Sequence, residues 1–217
     1  TSSAASDVYK RQPYDIHKSE TRKEIVMKKA LKLNVPIIYL NMVGGQDELV
    51  FDGGSFVVND LGEIIYQASS FKEEVFHLDI DLKTNKQNDK SPLIIRPKTI
   101  ELKDVESKAS LSKNESIYSA LKLGLKDYVR KNKFTKVLIG ISGGIDSALT
   151  AAICVDALGA ENVIGVAMPS KYNSKDSLDD AIKLSDNLGI TLKTIEIEKL
   201  VDDFRETLTN SLNENLG

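Results

Sequence analysis

The chain has 217 residues, 41% of them hydrophobic and 28% charged, with a net charge of -3. That is room for one large domain or two modest ones of ordinary globular composition, with no basic excess of the kind that non-specific nucleic-acid binding requires. No apolar run approaches the roughly 18 residues of a membrane helix, and the single Cys154 excludes a disulfide within the chain, so a reducing cytoplasm is the expected setting.

Residues 1–12, TSSAASDVYKRQ, are small and polar without apolar period and read as a tail or artefact. Residues 19–33 read as a helix capped by Ser19, with a stripe of Ile25, Val26, Ala30, Leu31 and Leu33. The apolar run at 35–43, between Pro36 and Gly44, predicts a buried strand. GGQDELVFDGGS, with glycine pairs at both ends, predicts a loop. SFVVN and EIIYQ predict strands joined by a tight turn at Asp60, Leu61 and Gly62. EEVFHLDID alternates and predicts another strand, offering Val75, Phe76 and Leu78 for burial.

Residues 82–113 are polar and weakly periodic, as in an interdomain linker. From Ser116 the rhythm changes to helix (116–132), strand (136–141), helix (145–159), strand (162–169), helix (178–189), strand (191–197) and a final helix to about Leu208. Alternation at this spacing predicts a parallel sheet with helices on both faces.

The motif with the most chemistry is SGGIDS at residues 142–147, which follows the strand KVLIGI and opens the helix IDSALTAA. The carboxyl end of a parallel strand is where open α/β sheets bind ligands. Gly143 and Gly144 let backbone N–H groups close on phosphate oxygens, and the helix start adds its positive end. Ser142 and Ser147 offer hydroxyls. Asp146 beside a polyphosphate is repulsive unless a cation intervenes, which implies Mg²⁺. No G-x-x-x-x-G-K-[ST] loop is present.

SGGIDS resembles the signature of the ATP-pyrophosphatase (PP-loop) family, whose members adenylate a substrate and release pyrophosphate. Two further segments select within it. AMPSKYNSKDSLDDAIKLSDNLGI is similar to the second loop of NAD synthetases through Met168, Pro169, Ser170, Tyr172, Ser174, Ser177, Asp179 and Asp180. VPIIYLNMVGGQDELVFDGGSFVVNDLGEI, with Lys18 and Arg22 as K-x-x-x-R, resembles the end of the nitrilase-type glutaminase domain of glutamine-dependent NAD synthetases.

The resemblance implies an α/β protein of two parts. Residues 13–81 would be the end of a nitrilase-like α-β-β-α sandwich, 82–113 a linker, and 114–217 the first part of a Rossmann-like PP-loop domain whose remainder is expected to follow. It implies ATP contacts at Gly140, Ile141, Ser142, Gly143, Gly144, Ile145, Asp146, Ser147 and Met168, a metal at Asp146, and a grip by Lys18 on glutamine. The implied substrates are ATP, glutamine and deamido-NAD, with Mg²⁺, in a homo-oligomer when full length and with no nucleic acid or membrane. The Glu, Lys and nucleophilic Cys of such glutaminases lie upstream of these motifs and have no counterpart here, so no catalytic residue is expected in this segment. Gln12 stands where the family has Ser. Cys154, in a helix, reads as a core residue. Glu48 and Asp52 fit either an approach to the glutaminase site or a self-satisfied turn. His17 and His77 are too few and scattered for a metal site, and His77 reads as structural. Open alternatives are another PP-loop amidating enzyme or thiolase, and an ATP-binding module without turnover.

Overall fold

The computed structural model describes residues 12–78, 110–169 and 175–212. Most of the expected tail, the linker from 82 to 109 and part of the loop at 170–177 therefore lie outside the described residues. The chain forms two compact units, Thr1–Gly124 and Leu125–Gly217.

In the first unit, helix α1 spans Lys18–Leu33. It starts one residue before the expected Ser19 cap. The entry is held instead by Asp15, whose carboxylate accepts the His17 N–H at 3.0 Å and whose carbonyl accepts that of Lys18 at 3.2 Å. The His17 N–H pulls the Asp15 carboxyl below its ordinary range. Asn34 ends the helix in the left-handed region (φ 53°), donating its N–H to Ala30. The buried stripe is Arg22, Val26 and Ala30, a strict i, i+4, i+8 row, whereas Ile25, Leu31 and Leu33 of the expected stripe face outward.

Strands β1 (Ile37–Tyr39), β4 (Phe56–Val58) and β5 (Ile64–Gln67) form an antiparallel sheet in the order β1-β4-β5. Val26 and Ala30 of α1 pack with Tyr39, Phe56 and Val58. Tyr39 and Phe56 sit opposite each other in register with rings stacked at 4.9 Å. At the β4–β5 turn, Asn59 accepts the N–H groups of Leu61 (3.0 Å) and Glu63 (2.8 Å).

Three expectations fail in this unit. The run at 35–43 is not one strand: it breaks after β1, where Asn41 turns away to the Ser55 hydroxyl and the Asp52 carboxylate, and Val43 already belongs to the next strand. GGQDELVFDGGS is not a loop: β2 (Val43–Gln46) and β3 (Leu49–Asp52) pair as a hairpin around Asp47, which takes φ 52°. Residues 73–78 form no strand. Glu74 accepts from the Ser69 N–H at 2.6 Å, and Phe76 lies 4.2 Å from the Tyr66 ring, while Val75 is 89% exposed. Residues 79–81 of that expected strand are not described. His77 is exposed in this irregular segment.

Helix α2 spans Lys113–Lys131, and the division between the two units falls inside it. It starts three residues earlier than expected, because Ser112 and Glu115 form a capping box: the Ser112 N–H reaches Glu115 at 2.9 Å and the Glu115 N–H reaches Ser112 Oγ at 3.4 Å.

In the second unit, β6 (Val137–Gly140), β7 (Val163–Ala167) and β8 (Thr191–Thr194) are parallel in that order. Helix α3 (Ile145–Leu158) follows β6, α4 (Lys175–Leu188) follows β7, and α5 (Glu198–Leu212) follows β8. The core gathers Ile141, Ala151, Cys154, Val163, Ala181 and Ile190. It places α3 and α4 on one face of the sheet, that of Val137, Ile139, Val163 and Leu192. Leu138, on the other face, is 72% exposed, so the expected cover on both faces is not seen among the described residues.

Candidate functional site

The site is built where β6 ends. The Ile141 N–H donates to Val166 at 2.9 Å, carrying the parallel register one residue beyond the strand, and the Ile141 side chain is buried beneath the loop. The chain then turns through Ser142 and Gly143. Gly143 takes φ +80°, and Gly144 (φ -89°, ψ 162°) caps α3. Residues 142–147 thus leave a parallel strand and enter a helix, as their pattern predicted.

The polar groups of this turn are satisfied by one another. The Ser142 N–H donates to Ser147 Oγ at 3.2 Å, and the two hydroxyls lie 3.2 Å apart. The Gly144 N–H donates to Ser142 Oγ at 3.3 Å, and Ser147 donates to the Gly144 carbonyl at 3.0 Å. All these groups lie at an exposed or half-exposed surface. An arriving oxyanion can therefore take the two N–H groups and two hydroxyls without leaving a buried group unpaired. The positive end of α3 adds to the same point.

Asp146 lies in the first turn of α3, exposed beside this cluster. Ile145 is 79% exposed. Met168, just beyond β7, is half exposed, and its Cε lies 3.5 Å from where a β-carbon on Gly140 would sit. Ile141, Ser142, Met168, Ser177 and Leu178 line a cleft of about 30 Å³. The structure thus gathers all the expected ATP-contact positions, 140–147 and 168, at one strand-end mouth. It adds Ser177 of α4, whose match to the family pattern implied no place in the site.

Lys18 opens α1 in the other unit and is exposed. Glu48 is exposed at the tip of the β2–β3 hairpin. Asp52 is buried with Arg22, each residue 7% exposed. One guanidinium nitrogen of Arg22 contacts both Asp52 oxygens, at 2.9 and 3.0 Å. The other donates to the Pro13 carbonyl at 2.9 Å. Asn41 donates to Asp52 at 3.1 Å. Through Arg22, Asp52 therefore ties Pro13 and α1 to the hairpin, and the pair is a packing device. The K-x-x-x-R spacing contained this signal, since Arg22 stands four residues before Val26 on the same helical row.

Cys154 is buried in the α3 core, and burial raises its thiol pKa above the ordinary value. Among the described residues no cluster of three or more potential metal ligands occurs. Nor is any described helix long and apolar enough to cross a membrane.

Residues 8–88 match the carbon-nitrogen hydrolase family, and residues 117–216 match the NAD synthase family. The glutamine-dependent NAD(+) synthetase of Thermotoga maritima is 43% identical over 213 residues, covering 90% of this chain and 37% of that protein. That of Acinetobacter baylyi is 38% identical over 201 residues, covering 93% of this chain and 34% of the relative. The chain belongs to the glutamine-dependent NAD(+) synthetase family.

The solved structure of the Acinetobacter baumannii family member, in complex with adenosine diphosphate, superposes with a TM-score of 0.81 at 40% identity. The match covers 94% of this chain and 36% of that one. A family member from Cytophaga hutchinsonii, at 17% identity and a TM-score of 0.74, shares the fold. The order within the family, nitrilase-like part and then PP-loop part, is the order of the two units here. The chain spans about a third of the length of these relatives.

Proposed function

We propose that this segment supplies the ATP-binding loop of an enzyme that amidates deamido-NAD to NAD. In this reading 13–81 end a glutaminase domain, 82–113 link, and 114–217 begin the synthetase domain. The observation that carries the proposal is the self-paired cluster of Ser142, Gly144 and Ser147 at the mouth of a parallel strand, in a family named for NAD synthesis.

The chemistry follows from the substrate. A carboxylate is a poor electrophile, so its oxygen attacks the α-phosphorus of ATP and pyrophosphate leaves. Ammonia then attacks the acyl carbon, AMP departs with the bonding pair, and a proton is lost as the amide forms. In the first step Ser142, Gly143, Gly144 and Ser147 hold the departing pyrophosphate, and their fixed N–H and O–H dipoles stabilise its growing charge. Gly140, Ile141, Ile145 and Met168 shape the nucleotide side of the mouth. The exposed Asp146 carboxylate suits Mg²⁺, which takes one or two carboxylates together with substrate phosphates rather than an all-protein cage. Bound there, the ion would neutralise pyrophosphate charge.

Lys18 is proposed to meet the glutamine carboxylate, and glutamine to supply the ammonia. The nucleophile for that hydrolysis is not Cys154, which is buried in the core. We place the full-length enzyme in the cytoplasm as a homo-oligomer.

The test uses the enzyme that carries this segment, supplied with deamido-NAD, ATP, Mg²⁺ and either glutamine or ammonium. AMP and NAD are expected in equal amounts. ATP binding without AMP release would return the segment to a nucleotide-binding module without turnover. AMP release with a substrate other than deamido-NAD would make it another PP-loop enzyme.

A further inference from the structure

The geometry points to Gly143 as a positioning residue that acts through α4, by seating the first turn of that helix against the phosphate loop; this rests on the ATP reading above.

A β-carbon on Gly143 would overlap the Ser177 carbonyl oxygen and lie 2.9 Å from the Ser177 Cα and 3.0 Å from its carbonyl carbon. All three atoms are backbone, in the first turn of a 14-residue helix, so they cannot step aside as a flexible side chain would. The helix is anchored behind the contact as well. Ala181, one turn on, is buried in the same core as Ile141, the residue that carries the loop. Gly143 is thus held between a strand end on one side and a helix start on the other.

The contrast with its neighbour is sharp. A β-carbon on Gly144 would meet only Ser142 Oγ, at 3.4 Å, an ordinary contact, and the Gly144 backbone is one that any residue adopts. Of the two glycines, only Gly143 makes the loop and α4 touch backbone to backbone. Their closeness brings a second helix start, with the positive end of its dipole, beside the start of α3. A side chain at 143 pushes this second wall away from the place where the polyphosphate lies.

Positive φ at Gly143 is a rival cause of any loss on substitution, and two variants separate it from the contact. Asn accepts positive φ far better than Ala does, yet both carry a β-carbon. If α4 seating matters, Gly143→Asn is as damaging as Gly143→Ala.

Hydrogen exchange is measured on the nucleotide-free chain for the amides at 176–181 and, as an internal reference, at 148–154. Both Gly143 variants are expected to exchange faster at 176–181 and unchanged at 148–154, with Gly144→Ala like wild type at 176–181. ATP affinity, measured by titration with Mg²⁺ present, is expected to fall at least about tenfold in both Gly143 variants. In wild type, Mg²⁺ and ATP together are expected to slow exchange at 176–181, a readout that needs no variant to fold. Recovery of wild-type ATP affinity by Asn would overturn the inference in favour of backbone strain. Unchanged exchange at 176–181 in both Gly143 variants would also overturn it. Faster exchange in the variants with no ATP binding by wild type would keep the seating but sink both its role in ATP binding and the ATP reading itself.

Discussion

Two of the molecule's glycine pairs, each near a carboxylate, serve opposite ends. Gly53 and Gly54 follow β3 with φ near 60° at both, next to Asp52. A β-carbon on Gly53 would lie 2.5 Å from the Val43 side chain, so the hairpin closes only over a bare Cα. Asp52 is buried and locked to Arg22. Gly143 and Gly144 follow β6 with Asp146 two residues on, but there the carboxylate and the hydroxyls face solvent. The first group has used its hydrogen-bonding capacity on its own chain. The second holds only exposed bonds that a ligand can replace. Burial of the polar groups, rather than glycine content, separates the packing device from the binding device.

If that distinction holds, removing the exposed charge should damage chemistry and spare the fold. Asp146→Asn is expected to cut NAD formation by orders of magnitude with ammonium or glutamine as nitrogen source. A metal clamp on departing pyrophosphate is worth several kcal/mol, and each ~1.4 kcal/mol is tenfold in rate. The thermal midpoint should hardly move, as for most surface substitutions. Turnover near wild type under saturating ammonium and excess Mg²⁺ would make Asp146 no more than a first-turn carboxylate that favours the helix.

The buried pair should behave in reverse. Arg22→Met leaves Asp52 as a buried, unpaired charge, at a cost of about 3–5 kcal/mol. Denaturant unfolding of the chain should show most of that loss. Replacing both partners, Arg22→Met with Asp52→Leu, should recover part of it, since Arg22 Nε is already buried without a hydrogen-bond partner. A single variant as stable as wild type would remove the claim that this glycine pair and its carboxylate serve packing.

Much of this architecture was legible in the sequence, for a local reason. Strand, loop and helix around SGGIDS are adjacent in the chain, so apolar run, glycines and helical period sufficed. The turn at 60–62 was readable in the same way. What escaped depends on partners far along the chain. The β2–β3 hairpin contains Gly44 and Gly45, poor strand formers that pair here with Phe51 and Val50. Arg22 counts as polar in any apolar period, yet occupies a core row because Asp52, thirty residues on, neutralises it. The alternation at 73–78 suggested a strand, but Glu74 is drawn back to Ser69 and only Phe76 and Leu78 pack. Ser177 enters the loop's surroundings through a contact that no spacing encodes.

A smaller effect extends the same distinction to a thiol. Cys154 sits in the α3 core with its pKa raised by burial, so little of it is thiolate at neutral pH. Alkylation of the native chain should be much slower than in denaturant, and incubation with glutamine should release no ammonia. Rapid native labelling, or ammonia release, would show a reachable nucleophile where the structure has a packed one.

The smallest expected effect lies at an exposed carboxylate whose work is local. Glu115 is held below its ordinary pKa first by the Ser112 hydroxyl and then by the Ser112 N–H. A carboxyl with a depressed folded pKa adds stability that is present above its unfolded value and is lost as pH falls through the folded one. The capping box at the start of α2 should therefore loosen in acid, below the ordinary glutamate range, while the neutral-pH helix is intact. Amide exchange at 113–117, corrected for the intrinsic pH dependence, should rise on acidification in wild type. Glu115→Gln keeps a hydrogen-bonding side chain without the titration, so its corrected exchange should stay flat over the same range. A wild-type profile as flat as that of Gln would mean that the charge contributes nothing and that the Ser112 hydroxyl alone caps the helix. Because the group is exposed and screened, the change should stay within the first turn and leave ATP binding at the Ser142 loop unaltered.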